Sequence, residues 1–296
     1  MKTPRVSVLT TVYNRVKYVD ECIASVLASS LTDFEYIIVD DLSSDGSWEA
    51  VQAWGNRDSR VRIFRNEKNL GDYPNRNKAA SFAKGEYLKY VDSDDVLYPH
   101  TLSVMTAMMD QFPSSGLGVC AVADFNQPHP LLLSPAEAYE KNFLLEDLFH
   151  GDLFGRAPGA VLIRREPFVA VGGFSGVNQV GDHELWLRLA AKYPLVTFPR
   201  DLLWDRTHGE QEQFYDSEAD RARMHLDVDI ASLLSPDCPV GHSRRDEAID
   251  KLRTREARNI AKILLRGRLK EASVLRRKLG ISWAHVFRAL RCWLKA

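Results

Sequence analysis

Phe34-Glu35-Tyr36-Ile37-Ile38-Val39-Asp40-Asp41 reads as a short apolar strand that runs straight into two acids. Upstream, Arg5-Val6-Ser7-Val8-Leu9-Thr10-Thr11 has the same character and gives way to a polar loop at Tyr13-Asn14-Arg15. Between the two, Tyr18, Cys22, Ile23, Val26 and Leu27 recur at helical spacing. Downstream the order repeats. Ser44-Asp45-Gly46-Ser47 opens a helix to about Trp54, Val61-Arg62-Ile63-Phe64 is a strand, and about Pro74 to Ala83 is a helix. Strand Tyr87-Leu88-Lys89-Tyr90-Val91 then ends at Asp92. Strands alternating with helices of this length predict an α/β fold, a doubly wound sheet with right-handed crossovers. The polar residues cluster just past strand carboxyl ends, at Thr11 to Asn14, Asp40-Asp41 and Asp92 to Asp95, where open α/β sheets bind ligands.

The second half is less regular. Residues 125 to 157 hold Pro128, Pro130 and Pro135 and a predicted helix from Ala136 to Phe149. Ala160-Val161-Leu162-Ile163 returns as a strand, Gly172-Gly173-Phe174 is a turn, and Asp182 to Ala191 is an amphipathic helix with Leu185, Trp186, Leu189 and Ala190 on one face. Beyond Asp216 nearly everything reads helical. The chain has 296 residues and a net charge of −1, which offers no general reason to expect a nucleic-acid partner. Its four cysteines, Cys22, Cys120, Cys238 and Cys292, are scattered without a Cys-x-x-Cys pair, the pattern of reduced, buried thiols in the cytoplasm. Met1-Lys2-Thr3-Pro4-Arg5 leads directly into a strand with no secretory h-region. No apolar run approaches the roughly 18 to 20 residues a membrane span needs. A cytoplasmic protein, peripheral at most, is expected.

Asp92-Ser93-Asp94-Asp95 carries the sharpest chemistry. Carboxylates two residues apart after a buried strand can converge on one hard divalent cation, Mg²⁺ or Mn²⁺, whose open positions suit phosphate oxygens. A solvated turn or helix cap explains the same residues without a ligand. Asp40-Asp41 can accept a hydrogen bond from the imide N–H of a uracil, or can simply cap the helix that Ser43 and Ser44 begin.

Taken together, Val6 to Asn14, Ile38 to Gly46, Gly85-Glu86-Tyr87 followed by Val91 to Asp95, and Gly181-Asp182-His183-Glu184-Leu185-Trp186-Leu187-Arg188 resemble, in order and approximate spacing, the motifs of family 2 inverting glycosyltransferases of the GT-A fold. The resemblance covers about residues 5 to 210. It implies a GT-A type, Rossmann-like doubly wound mixed sheet over residues 1–215, with a nucleotide-binding part to about residue 98 and an acceptor-side part from 99. Residues 216–296 form a helical, basic extension. On this resemblance Thr11 and Tyr13 surround the base of a nucleotide-sugar donor and Asp41 reads its uracil, although thymine offers the same edge. Arg76 and Ser93 contact the donor. Asp92 and Asp94 match the Asp-x-Asp motif for Mn²⁺ or Mg²⁺, Asp94 as the direct ligand. Asp182 falls where the family keeps its catalytic base, with an N-cap as its structural alternative. His208, in Arg206-Thr207-His208-Gly209-Glu210-Gln211, matches a loop in which a His approaches the metal or diphosphate. Two positions depart from the pattern: Ala79 stands where Gly is frequent, and Gly181 where many relatives have Glu. Glu184 competes for the role of base, but two residues further along a helix it should point elsewhere.

Two rivals remain on this reading. A nucleotidyltransferase of related fold would want a Gly-rich loop with an activating Arg and Lys after the first strand, where this chain has Thr10-Thr11-Val12-Tyr13-Asn14. A non-catalytic nucleotide-sugar or membrane-binding module would have no need of both Asp94 and Asp182. Charge is uneven: Lys251 to Lys295 holds fourteen Lys/Arg against Glu256 and Glu271, a balance of +12. Trp283, Val286, Phe287, Leu290, Trp293 and Leu294 fall at helical spacing, so residues 281–296 suit either an anionic membrane interface or packing on the protein itself. The expected acceptor is a glycan or lipid-linked glycan, and the chain is compatible with a homodimer.

Overall fold

The computed structural model describes residues 3–121, 128–144, 153–177, 179–200, 202–209 and 218–293. The chain begins with β1 (Val6–Val12), α1 (Val19–Leu27), β2 (Phe34–Asp40), α2 (Ser47–Gly55), β3 (Val61–Arg65), α3 (Asp72–Ser81) and β4 (Tyr87–Tyr90). It continues through β5 (Val96–Leu97), α4 (Thr101–Asp110), β6 (Leu117–Cys120), β7 (Leu131–Leu133), α5 (Pro135–Phe143) and a single 3-10 turn, Pro158–Ala160. Then come β8 (Val161–Arg164), α6 (Arg165–Ala170), α7 (Gly181–Lys192), β9 (Leu195–Phe198) and β10 (Leu203–Trp204). The helices α8 (Glu218–Leu234), α9 (His242–Leu265), α10 (Leu269–Lys278) and α11 (Trp283–Trp293) follow.

One sheet carries eight strands in the order β3-β2-β1-β4-β8-β6-β9-β7, and β5 pairs with β10 apart from it. The first four strands are parallel, whereas β8 runs antiparallel to β4 and β6, and β7 antiparallel to β9. The mixed, doubly wound sheet is therefore the expected one. The chain moves outward from β1 to β3, then returns to lay β4 on the other side of β1. That reversal opens a crevice between the carboxyl ends of β1 and β4, flanked by the loops at Thr11 and Asp92.

Two-residue periodicity splits β1 between the faces. Val6, Val8 and Val12 join Ile23 and Val26 of α1 and Met105 of α4, while Leu9 joins Tyr73 of α3 and Trp186 of α7. α3 begins at Asp72, ahead of Pro74, because proline in a first turn lacks only an N–H that would have no intrahelical partner. α5 starts at a reciprocal Ser134/Glu137 capping box with Pro135 behind it, and the predicted continuation to Phe149 lies outside the described residues.

Leu226 and Leu233 of α8, Leu252 and Ile260 of α9, Ala272 of α10 and Val286 and Ala289 of α11 all enter the cluster built on Trp186. The helical extension is thus sealed onto the α7 side of the sheet. It also divides the apolar stripe of α11. Val286 and Ala289 are buried, whereas Trp283 is 37% and Phe287 55% exposed. The Trp293 side chain and residues Leu294 and Lys295 lie outside the described residues. No helix among the described residues is long and apolar enough to cross a membrane. Cys22, Cys120 and Cys238 are buried free thiols, and the Cys292 side chain lies outside the described residues.

Candidate functional site

The loops after β1 and β2 are laced together. Asn14, at φ 52°, takes the Ser44 N–H on its side-chain oxygen (2.9 Å) and donates its own N–H to Ser43 Oγ (3.0 Å). The Arg15 and Val16 N–H groups donate to Ser47 Oγ and Asp45 Oδ2. This leaves Thr11 half-buried and Tyr13 exposed on the rim. Asp41 is placed differently from a simple open acceptor. Its carboxylate is buried and accepts from Asn66 Nδ2 (2.6 Å), Leu70 N–H (2.9 and 3.1 Å) and Gly71 N–H (3.0 Å). Both oxygens tie the segment before α3 to the end of β2, so a base edge must share or displace donors the chain already supplies.

The loop after β4 gathers its acids under cationic partners. Arg76 reaches Asp92 Oδ1 with Nη1 (2.9 Å) and donates Nε to Asp72 (2.7 Å). Asp94 Oδ2 meets His208 Nε2 at 2.9 Å and Arg15 Nε at 3.3 Å. Ser93 is buried between the two acids. Asp95 accepts the Arg206 N–H (3.0 Å), and burial, with Asp92 nearby, lifts its carboxyl to about 8. Burial also raises the Asp92 carboxyl, against the pull of Arg76. His208 stacks on Tyr18 with ring centroids 4.5 Å apart, and the Arg206 guanidinium lies over the rings of Tyr18 and Trp204. Arg206 also donates Nε to the Asp94 carbonyl (2.8 Å) and pairs with Glu21. Below the loop, fully buried Lys89 donates to the Gly159 and Val161 carbonyls, and burial brings its ammonium down to about 8. Arg15, Arg206 and Lys89 were not singled out from sequence. Arg15 lies in the quoted loop Tyr13-Asn14-Arg15 and Arg206 in the loop that carries His208, so their positions were visible while their partners were not.

Asp182 sits in the first turn of α7 and accepts the His183 N–H on Oδ1 (2.8 Å). Tyr73 donates its hydroxyl toward the same oxygen (3.4 Å) and accepts the Gly181 N–H (2.9 Å). The Gly181 departure follows from this contact, since a Cβ there would stand 2.7 Å from Tyr73 Cε2. Burial raises the Asp182 carboxyl, with the His183 N–H and Arg76 opposing. Glu184 points away, as helical spacing predicted, and grips Arg188 at 2.6 and 2.9 Å. His183 is buried and pairs with Asp229 of α8 at 2.7 Å, a structural tie between helices. One helix, α3, therefore touches both centres: Tyr73 at Asp182 and Arg76 at Asp92. Tyr73 lies one helical turn before Arg76, a spacing that offered a signal in the sequence.

Tyr73→Phe should remove a donor to the ionised Asp182 and so raise its pKa further. If Asp182 must be ionised to act, the acidic limb of the rate profile should move to higher pH, with a loss of up to about tenfold in kcat below it. A pH–rate profile indistinguishable from wild type would break the link between Tyr73 and the reaction.

Residues 7–172 match the profile described as Glycosyl transferase family 2. TuaG of Bacillus subtilis, named for teichuronic acid biosynthesis, is 41% identical over 92 residues, 31% of this chain and 36% of TuaG. The chain spans about a third of the length of the curated relatives it matches at this level. Among solved structures, S. aureus TarS 1–349 in complex with UDP-GlcNAc superposes with a TM-score of 0.63 at 18% identity, over 85% of this chain and 72% of that one. Mannosyltransferase PcManGT from Pyrobaculum calidifontis, in complex with GDP-Man and Mn²⁺, gives 0.61 at 18% identity over 98% and 87%. Both likenesses are of fold.

Proposed function

We propose that this chain, which belongs to glycosyl transferase family 2, moves a sugar from a nucleotide-diphosphate donor, a UDP-sugar by preference, to an acceptor hydroxyl with inversion at the anomeric carbon. The observation that carries the reading is the bridge made by α3, which joins a half-buried, raised carboxyl at Asp182 to the acid loop at Asp92 through Tyr73 and Arg76. A base and a diphosphate-binding centre are what a single in-line displacement requires. Residues 1–98 would hold the donor and 99–215 the acceptor.

The acid loop fits a divalent cation. Asp94 and Asp92 offer the hard oxygen ligands that Mg²⁺ and Mn²⁺ prefer, and His208 stands beside them on Asp94. Among the described residues no three His, Cys, Asp or Glu side chains form a ready cage, so donor oxygens would complete the shell. A bound Mn²⁺ or Mg²⁺ supplies neutralisation of charge on the departing diphosphate. Arg15 and Arg76, freed in part from the acids, would donate to phosphate oxygens. Asp182 would take the acceptor's proton as its oxygen attacks the anomeric carbon, while the bond to the diphosphate breaks on the opposite face. Two solved neighbours carry UDP-GlcNAc and GDP-Man, so the base is a choice within the fold. The Asp41 carboxylate, an acceptor-only group, favours an imide edge.

The test is a panel of UDP-, dTDP- and GDP-sugars with Mn²⁺ or Mg²⁺, read by thermal stabilisation and slow donor hydrolysis. A donor at a hundred times its Kd stabilises the native state by about 2.7 kcal/mol. UDP-sugars should stabilise most and be hydrolysed. Stabilisation without hydrolysis would point to a binding module, and neither effect with any donor would end the proposal.

A further inference from the structure

The outward side of α11 combines exposed aromatic and cationic side chains. Trp283, Ala284, Phe287, Arg288 and Arg291 are all exposed along it. Trp283 and Phe287, one turn apart, stack with centroids 5.8 Å apart, and the Arg276 guanidinium lies 4.8 Å from the Trp283 ring. Arg276 also donates to the Ile281 carbonyl (3.0 Å), so the aromatic pair is held in place. Arg277 is exposed at the end of α10. No Asp or Glu occurs after Glu271, while Arg276, Arg277, Lys278, Arg288, Arg291 and Lys295 follow. Asp250 stands 3.7 Å from Arg288, an exposed pair of a kind that contributes little.

We propose that this face of α11 docks on an anionic lipid bilayer, with Trp283 and Phe287 seated among the headgroups and Arg277, Arg288 and Arg291 facing lipid phosphates. The inference does not depend on the transfer reaction. Charge complementarity selects the partner, since a cationic segment without acids is attracted to an anionic leaflet. The shape of the apolar patch selects it too. A helix bound in a protein groove needs anchors at i, i+3, i+4 and i+7. Here the positions that would complete such a set from Trp283 and Phe287 are turned inward, Val286 buried and Leu290 half-buried against the core. What is left outward is two stacked aromatics with a cationic rim, too small for the core of a stable protein interface but suited to the interfacial zone, where Trp is favoured.

The full-length protein is to be tested by co-sedimentation with vesicles of phosphatidylcholine alone and of phosphatidylcholine mixed with phosphatidylglycerol. Binding should require the anionic lipid and fall with added salt. Each basic residue removed should weaken it about fivefold, so Arg288→Gln with Arg291→Gln should lose more than about tenfold. Trp283→Ser with Phe287→Ser should lose a similar factor with an unchanged melting curve, because neither side chain is buried. If that pair destabilises the fold, Phe287→Ser alone, at the more exposed position, carries the test. UDP-sugar binding, measured alongside, should be the same in every variant, so a failed donor reading and a failed membrane reading are distinguished. The inference is overturned if wild type ignores anionic vesicles or if both sets of variants bind as wild type does. Equally, a wild-type dimer that the aromatic substitutions dissociate, without vesicle binding, would make this face an interface between copies of the chain.

Discussion

Replacing Asp182 by Asn should lower kcat by ~10² to 10⁴-fold while leaving donor affinity nearly unchanged. The substitution keeps an oxygen that can accept from the His183 N–H and the Tyr73 hydroxyl, so the first turn of α7 and its link to α3 are retained. Only the proton-accepting charge is lost. Burial would suit Asp182 to the proposed role of base: a carboxyl raised above its usual range takes a proton more readily, while the amino-terminal end of α7 favours the ionised form. Steady-state kinetics with a saturating donor, beside calorimetric donor binding, separates the two terms. Glu184 is an unlikely substitute in geometry, since Arg188 holds both its oxygens. Turnover near wild type would therefore transfer the base role to a water on the acceptor.

Asp94→Ala should abolish metal-dependent UDP binding, a loss of at least about 100-fold, the upper end of what removing a group one shell further out costs. Asp94 is where the chain concentrates neutralising groups, with His208 at 2.9 Å and Arg15 at 3.3 Å on one oxygen. Without it the Arg15 guanidinium and the His208 ring lose their shared acceptor, so Asp94→Asn is the companion that tests folding by its melting curve. Chelation of wild type should reproduce the loss, and His208→Ala should give a smaller one. Full UDP affinity in chelator, or in Asp94→Ala, would remove the metal from the reading.

The alternation of strands and helices was legible because β1 to β3 are short, apolar and each followed by a helix-period segment. Ile37 and Val39 on one face and Tyr36 and Ile38 on the other bury both sides of β2, the mark of a strand covered by helices on both faces. Asp92 and Asp94 stood out by their two-residue spacing just past a buried strand, and Asp182 and His208 by the order of motifs in which they fall. The reach of α5 and the fate of the α11 stripe were not legible. Helical periodicity marks an apolar face without saying how much of it a neighbouring helix will cover.

The sequence by itself determined the α/β order, the ends of strands at which polar loops gather, and the residue types gathered there. These are local properties, set by side-chain period and by turn chemistry within a few residues. Only the tertiary structure decided which groups meet. Tyr73 and Asp182 are 109 positions apart, Asp94 and His208 114, yet each pair lies within hydrogen-bond reach. Asp41 is engaged by the segment before α3, and Val286 is taken into the core while Phe287 beside it is left outside. Such pairings depend on how the crossovers lay β4 against β1 and α3 against α7. Distance through space, and not separation along the chain, governs every hydrogen bond and charge that the site uses.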